Sequence, residues 1–324
     1  MKAWQVRAWG EPETMELSEV DLPVPGAHQV RIRNHAAGLN FFDILQVQGK
    51  YQIKPPFPFT PGAEVAGTVD AMGSDVVGFA PGDSVMALTF QGGFAEYSIA
   101  EAGRTFAIPQ PMDFLTASTA PVVYQTSLFA LRERAALKPG EWLLVHAGAS
   151  GVGTSAIQIG KASGAHVIAT AGGNSKLEFC LRNGADHAID YSDTSWVDQV
   201  KKLTGGRGAD VIYDPVGGDI FDLSTKCIAP LGRLLIIGFA SGRIPSIQAN
   251  RILLKNIAIM GAVWGGHAQA HPGYPSEAQK ALHDLYCAGK IQPPAPVAYR
   301  LAEAPQALRD LANRKILGKA ALAI

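Results

Sequence analysis

An apolar run, Trp142-Leu143-Leu144-Val145, leads into His146-Ala147-Gly148-Ala149-Ser150-Gly151-Val152-Gly153, and a helical pattern, TSAIQIGKASG, follows at once. A strand that turns into a helix through three glycines leaves backbone N–H groups uncovered at the helix N-terminus. Partial positive charge and free donors there suit a pyrophosphate. Gly151 allows close approach of the phosphate, and Gly153 allows the helix to pack on the strand. The spacing departs from G-x-G-x-x-G, because Ser150 stands where the second glycine belongs. A plain strand-to-helix turn would use glycine too, but the units that follow favour a nucleotide.

Those units set the fold class. From residue 122 onward, apolar strands alternate with helices. The strands are WLLVHA (142–147), AHVIATA (165–171), HAIDY (187–191), ADVIYDP (209–215) and GRLLIIGF (232–239). Between them lie SKLEFCLRNG (175–184), TSWVDQVKKLTGG (194–206) and DIFDLSTKCIAP (219–230). This rhythm predicts a doubly wound parallel sheet covered on both faces. Residues 1–121 read differently. Short β-branched runs (HQVRIRNHAAG, EVAGTVDAMG, PGDSVMALT, FAEYSIA) are broken by turns such as Pro61-Gly62 and Pro81-Gly82. They predict a mostly antiparallel, barrel-like domain. From residue 262 two helices (SEAQKALHDLYCAGK, EAPQALRDLANRK) and a strand (KAALAI) are expected to return to that first domain. Two domains also suit a chain of 324 residues.

Lysine and arginine total 28, as do aspartate and glutamate, so the formal charge is zero. That balance argues against nucleic acid or an anionic membrane surface as a partner. No window approaches the roughly 18 apolar residues of a membrane span, and MKAWQVRAWGEPE has no apolar signal core. The cysteines Cys180, Cys227 and Cys287 lie far apart, without metal-ligand spacing. A soluble, cytoplasmic protein is expected.

The nucleotide is read from the end of the second strand. A free ribose 2′-hydroxyl usually meets an acid about 20 residues beyond the glycines. Here the segment is Thr170-Ala171-Gly172-Gly173-Asn174-Ser175-Lys176, without one. A lysine and a hydroxyl accept a 2′-phosphate that an acid would repel, so NADPH is expected over NADH. Gly172, Ser175 and Lys176 are the candidates. Ser175-Lys176-Leu177-Glu178 also reads as a capping box for the next helix, and the two roles are compatible.

Further landmarks are Gly38-Leu39-Asn40-Phe41-Phe42-Asp43, Pro61-Gly62-Ala63-Glu64 with Gly67, Gly82-Asp83-Ser84-Val85 and Gly93-Phe94-Ala95-Glu96-Tyr97. Tyr124-Gln125-Thr126, Tyr213-Asp214-Pro215-Val216-Gly217, Gly232-Arg233 and Gly318-Lys319 follow. In this order they resemble the medium-chain dehydrogenase/reductase superfamily, and within it the zinc-free quinone oxidoreductase (zeta-crystallin-like) branch, over nearly the whole chain. The resemblance implies a GroES-like barrel domain (1–121 and 262–324), a Rossmann domain (122–261), an active site in the cleft between them and a homodimer. Zinc-dependent relatives carry a Cys within the segment matching Asn40–Asp43, and Gly-His-Glu where this chain has Gly62-Ala63-Glu64. They also carry a four-cysteine lobe that this chain lacks. Without those ligands no tetrahedral zinc site can be built, and no metal is expected.

The acceptor must then be electrophilic already, a quinone or an α,β-unsaturated carbonyl, since the nicotinamide supplies only hydride. Charge growing on the carbonyl oxygen calls for a donor, and a proton must follow. The candidate catalytic residues are Tyr51, which resembles a cleft tyrosine of related enone and enoyl-thioester reductases, and Asn40, which resembles an asparagine lining the nicotinamide pocket. A loop aromatic and a turn-former are the plainer alternatives. Asp43 is read as stabilising its loop, and His146 as structural. The resemblance also assigns cofactor contacts to Asn40, Thr126, Ala149, Ser150, Gly151, Val152, Tyr191, Phe239 and Arg314. Thr126 as a helix cap and Arg314 as a solvated charge remain open. The expectation is an NADPH-dependent quinone or enone reductase. An enoyl-thioester reductase, or an NADPH-binding protein with little turnover, is the alternative.

Overall fold

The computed structural model describes residues 1–324. They divide into two units, Met1–Val122 with Pro272–Gln279 and Pro293–Ile324, and Val123–His271 with Lys280–Gln292.

The first unit opens with an antiparallel pair, β1 (Lys2–Gln5) and β2 (Glu16–Glu19). The long strand β3 (Gln29–Gly38) leads into a short helix, α1 (Phe41–Val47). Then come β4 (Glu64–Met72), β5 (Ser84–Leu88), β6 (Tyr97–Glu101), β7 (Thr105–Ala107) and the single turn α2 (Phe114–Ala117). Period-2 alternation puts Val30, Ile32, Val65, Val69 and Val85 on the inner face, where they pack with Phe94.

Helix α3 (Pro121–Leu128) and a π-helical turn, Phe129–Arg134, precede the second unit's sheet. Its elements alternate as the sequence predicts. They are β8 (Trp142–Val145), α4 (Gly151–Ala162), β9 (His166–Ala171), α5 (Asn174–Arg182), β10 (His187–Asp190) and α6 (Trp196–Leu203). Next are β11 (Ala209–Asp214), α7 (Gly218–Cys227), β12 (Ile228–Ile236), α8 (Ala249–Lys255) and β13 (Ala258–Gly261). All six strands are parallel, in the order β10-β9-β8-β11-β12-β13. This is the doubly wound order, and it puts the strand-to-helix turn after β8 at the centre of the sheet's carboxyl edge. Every residue of β11 is buried, as burial on both faces requires.

Two expectations about boundaries change. DIFDLSTKCIAP does not stay helical to residue 230: α7 ends at Cys227, and Ile228 pairs with Ala209 to start β12. Sheet pairing of a β-branched residue wins over the helical period there. The return at residue 262 also comes later. Ala262 N–H bonds Ile236 O, and in α9 (Trp264–Ala270) the His267 ring stacks on Phe129 with centroids 4.6 Å apart. These contacts keep 262–271 with the second unit. Helix α10 (Tyr274–Cys287) follows. Beyond it the Gln158 amide bonds both the N–H and the C=O of Gln292, at 2.9 and 2.8 Å, within the second unit.

The chain then closes the first unit with β14 (Val297–Arg300), α11 (Ala304–Ala312) and β15 (Ala320–Ala323). The order in that sheet is β14-β15-β3-β4-β5-β7, with β6 also pairing β3, and only β14–β15 is parallel. Pairing of β15 with the end of β3 brings Lys319 beside Asn40.

Candidate active site

At the end of β8 the backbone turns sharply. His146 N–H reaches Tyr213 O at 3.0 Å, and Gly148 N–H reaches Thr170 O at 2.9 Å. Ser150 is extended (φ −90°, ψ 168°), and its Oγ accepts the Gly153 N–H at 3.2 Å while donating to Ala147 O at 2.7 Å. Ser150 is thus the N-cap of α4, a role serine fills better than glycine. A Cβ at Gly153 would stand 2.1 Å from Ala147 O, so this glycine is required by helix-on-strand packing. The N–H groups of Ala149, Gly151 and Val152 have no protein acceptor. Three backbone donors therefore converge at the start of a 12-residue helix, a cradle for an anion. Beneath it His146 is fully buried, with Nδ1 2.9 Å from Thr170 Oγ1 and Nε2 2.8 Å from Ser224 Oγ. Burial pushes it down to about 3. It is a neutral, structural histidine that ties β8, β9 and α7 together.

The corner after β9 differs from the sequence reading in two respects. The capping box at Ser175 does not form. Helix α5 begins at Asn174, and its N-cap is Gly173, with a positive φ of 82° and no side-chain cap. Ser175 already lies in the helical first turn, exposed, where its backbone cannot adopt N-cap geometry. An acid also reaches this corner, although none stands in the segment itself. Asp190, at the end of β10, accepts the Gly173 N–H through Oδ2 at 3.0 Å and holds Ser192 Oγ and N–H through Oδ1 at 2.6 and 2.9 Å. The Ser192 hydroxyl and N–H, with Gly173, hold its carboxyl below the usual range. Its oxygens are engaged in the turn's own hydrogen bonds. The Tyr191 hydroxyl lies 3.1 Å from where a Cβ on Gly172 would stand, so the phenol packs closely over this glycine. Lys176 occupies the first turn of α5, half-buried.

In the first unit, Asn40 stands between β3 and α1 as the helix N-cap, and its N–H donates to Asp43 Oδ2 at 2.7 Å. Its side chain belongs to a buried ionic cluster. Asn40 Nδ2 donates to Glu64 Oε1 at 2.9 Å. Lys319 Nζ donates to Leu39 O at 2.6 Å, and to Asn40 Oδ1 and Glu64 Oε1, each at 2.8 Å. Glu64 Oε2 accepts the Val122 N–H at 2.9 Å. Glu64 is 0 % and Lys319 8 % exposed, an ion pair that survives burial because hydrogen bonds satisfy both partners. Asp43 is fully buried too; burial pushes its carboxyl up to about 7 against the opposing pull of the Asn40 N–H and the Lys319 charge. Its structural reading fits this capping bond. Tyr51 is half-buried, with its ring stacked on Phe42 at 5.4 Å. Burial raises its phenol, and the nearby Asp43 charge raises it further.

The remaining candidates fall as follows. Thr126 lies inside α3, half-buried, and so does not cap it. Phe239 follows β12, 40 % exposed, with its ring 3.0 Å from a notional Cβ on Gly217. Arg314 is exposed just beyond α11, with a positive φ of 57°. Sequence reasoning gave no role to Glu64, Lys319 or Asp190. Two charged residues inside otherwise apolar strand-end segments were the available signal for the first two.

No three His, Cys, Asp or Glu side chains converge as a metal site requires. Cys180 and Cys227 are separately buried and Cys287 is exposed. At Asn40–Asp43 and Ala63 the side chains offer neither thiolate nor imidazole, so the residues present do not fit a tetrahedral zinc.

Two family models match the chain, the alcohol dehydrogenase GroES-like domain over residues 26–110 and zinc-binding dehydrogenase over 151–283. The zinc in the second description finds no ligand set here. Quinone oxidoreductase-like protein 2 of Bos taurus is 39% identical over 300 residues, spanning 92% of this chain and 85% of that protein. The crystal structure of Escherichia coli quinone oxidoreductase complexed with NADPH superposes with a TM-score of 0.92 at 28% identity over 100% of both chains. The CurK enoyl reductase structure gives 0.90 at 26% identity, over 99% of this chain and 98% of that one. A parallel doubly wound sheet, a GroES-like unit and relatives of this likeness lead to one conclusion: the chain belongs to the quinone oxidoreductase branch of the medium-chain dehydrogenase/reductase superfamily and is a quinone oxidoreductase-like enzyme.

Proposed function

We propose that the protein is an NADPH-dependent reductase that delivers hydride to a quinone or an enone without zinc. The observation that carries this reading is the set of unpaired N–H groups of Ala149, Gly151 and Val152 at the start of α4, which together with the Ser150 cap fit a pyrophosphate. Gly172, Ser175, Lys176 and Tyr191 would receive the adenosine 2′-phosphate. The lysine supplies the positive charge there, set against the Asp190 carboxylate, whose oxygens hold the Gly173 N–H and the Ser192 hydroxyl. Thr126 and Phe239 are assigned to the nicotinamide half, and Arg314 to a further cofactor contact. The NADPH held by the Escherichia coli relative supports this cofactor.

When bound, the nicotinamide supplies the hydride. The chain's part is to orient the acceptor and stabilise charge on its carbonyl oxygen. In this reading that task falls to Asn40 Nδ2–H and the Tyr51 hydroxyl, with Tyr51 or water returning the proton. Likeness to CurK enoyl reductase supports a second reading with the same chemistry, an enoyl thioester as acceptor.

The test is NADPH oxidation measured with a panel of quinones, alkenals and enoyl thioesters, with and without a zinc chelator. Turnover with a quinone or enone, unaffected by chelator, is expected. Turnover confined to enoyl thioesters would select the second reading. No acceleration by any acceptor would leave an NADPH-binding protein, and loss of activity with chelator would overturn the zinc-free assignment.

A further inference from the structure

We infer that Lys319, acting with Glu64, is a positioning residue that fixes the Asn40 carboxamide as a hydrogen-bond donor toward bound ligand. The site would then select an acceptor oxygen, such as a carbonyl, at that point. The orientation follows from donor and acceptor counting. An ammonium has three donors and no acceptor, and all three of Lys319 are used, on Leu39 O, Asn40 Oδ1 and Glu64 Oε1. Flipping the amide would turn its NH2 group against the ammonium and its oxygen against the Glu64 carboxylate. Both contacts would change from attraction to repulsion. One Nδ2–H is held by Glu64 Oε1, and the other has no acceptor in the protein. Glu64 cannot rotate away, because its second oxygen holds the Val122 N–H.

Nothing about stability demands this arrangement. A buried ion pair is a weak source of stability, and apolar residues of similar size often serve as well. An ammonium on Oδ1 does, however, polarise the carboxamide and strengthen its remaining N–H as a donor. The cluster therefore sets both the polarity and the strength of one hydrogen bond. The identity of the oxygen it meets, the carbonyl that gains charge on hydride transfer, rests on the function proposed above.

Two measurements test the inference. The first needs no turnover: side-chain amide resonances of protein carrying isotope-labelled asparagine, with Asn40 assigned through Asn40→Ala. One Asn40 N–H signal displaced well downfield, as its bond to the Glu64 carboxylate requires, is expected in the unaltered protein. In the charge-balanced double variant Glu64→Gln/Lys319→Met both signals should return toward the positions of a solvated asparagine. Solvated-amide positions in the unaltered protein, or unchanged positions in the double variant, overturn the positioning. The second is a mutant cycle on acceptor reduction. Asn40→Ala and the double variant should each lower kcat by up to about 100-fold, the scale for loss of one transition-state donor. Combining all three substitutions should cost no more than Asn40→Ala alone. Losses that multiply would mean that the pair acts structurally, whatever the substrate. Asn40 signals that relax in the double variant, in a protein that reduces no quinone or enone, would instead uphold the positioning and remove the proposed reaction.

Discussion

A buried carboxamide can be turned by half a rotation with almost no change of shape, so what Asn40 does depends on which of its atoms the neighbours occupy. The same holds for the other candidates, whose tests are chosen to change chemistry while keeping volume. Tyr51→Phe keeps the stack on Phe42 and removes only the hydroxyl. If that hydroxyl meets developing charge, turnover should fall by about 100-fold with NADPH affinity nearly unchanged, as steady-state kinetics and a binding titration would show. Unchanged turnover would make Tyr51 a packing residue. Lys176→Glu should weaken NADPH binding by about 10-fold or more, the scale of one hydrogen bond to a charged group, while NADH binding changes little. Equal losses in the two titrations would refute the 2′-phosphate assignment.

Among the elements, those whose logic is local could be read from the sequence. The run from Trp142 through Gly153 announces strand, turn and helix because strand burial, the glycine against Ala147 O and the Ser150 cap all lie within a dozen residues. Gly153→Ala should therefore destabilise the second unit by about 1–3 kcal/mol, the cost of overpacking, seen as a lower urea midpoint; an unaltered midpoint would contradict the 2.1 Å approach. Elsewhere a local signal competed with a better local solution. Ser175 and Glu178 have the spacing of a capping box, but Gly173 enters the helix through a positive φ and starts it too early for Ser175 to cap. The absence of an acid after AHVIATA was also a local observation, and strand pairing of β10 beside β9 brings Asp190 to the same spot. In residues 219–230 the helical period continued past the point where Ile228 finds a strand partner.

For the molecule as a whole, two buried titratable groups pull stability in opposite directions. Asp43 has an ordinary value of 3.8 and is raised to about 7 in the fold. The folded state then binds more protons than the unfolded chain between those values, so this group removes stability as pH rises through that window. His146 is lowered from 6.5 to about 3. The unfolded chain binds the extra proton there, so stability is lost as pH falls through that range. Over most of the acidic range the two slopes oppose each other. Asp43→Asn keeps an acceptor for the Asn40 N–H and removes one slope. Its unfolding free energy, measured across pH, should fall more steeply on acidification than that of the unaltered chain and should exceed it in relative terms above pH 7. Parallel profiles would show that Asp43 does not titrate in this way. None of this could be read from residue types, because burial of a carboxylate is a property of the assembled barrel.

Lys319 lies 279 residues beyond the asparagine it orients. At a synthesis rate of ~10 residues per second, Asn40 leaves the ribosome roughly half a minute before its lysine exists. Throughout that interval Glu64 lacks the lysine that pairs with it in the finished fold. A ribosome-bound chain can hold every residue of the turn after β8 and still lack the side chain on which the proposed polarity of Asn40 depends.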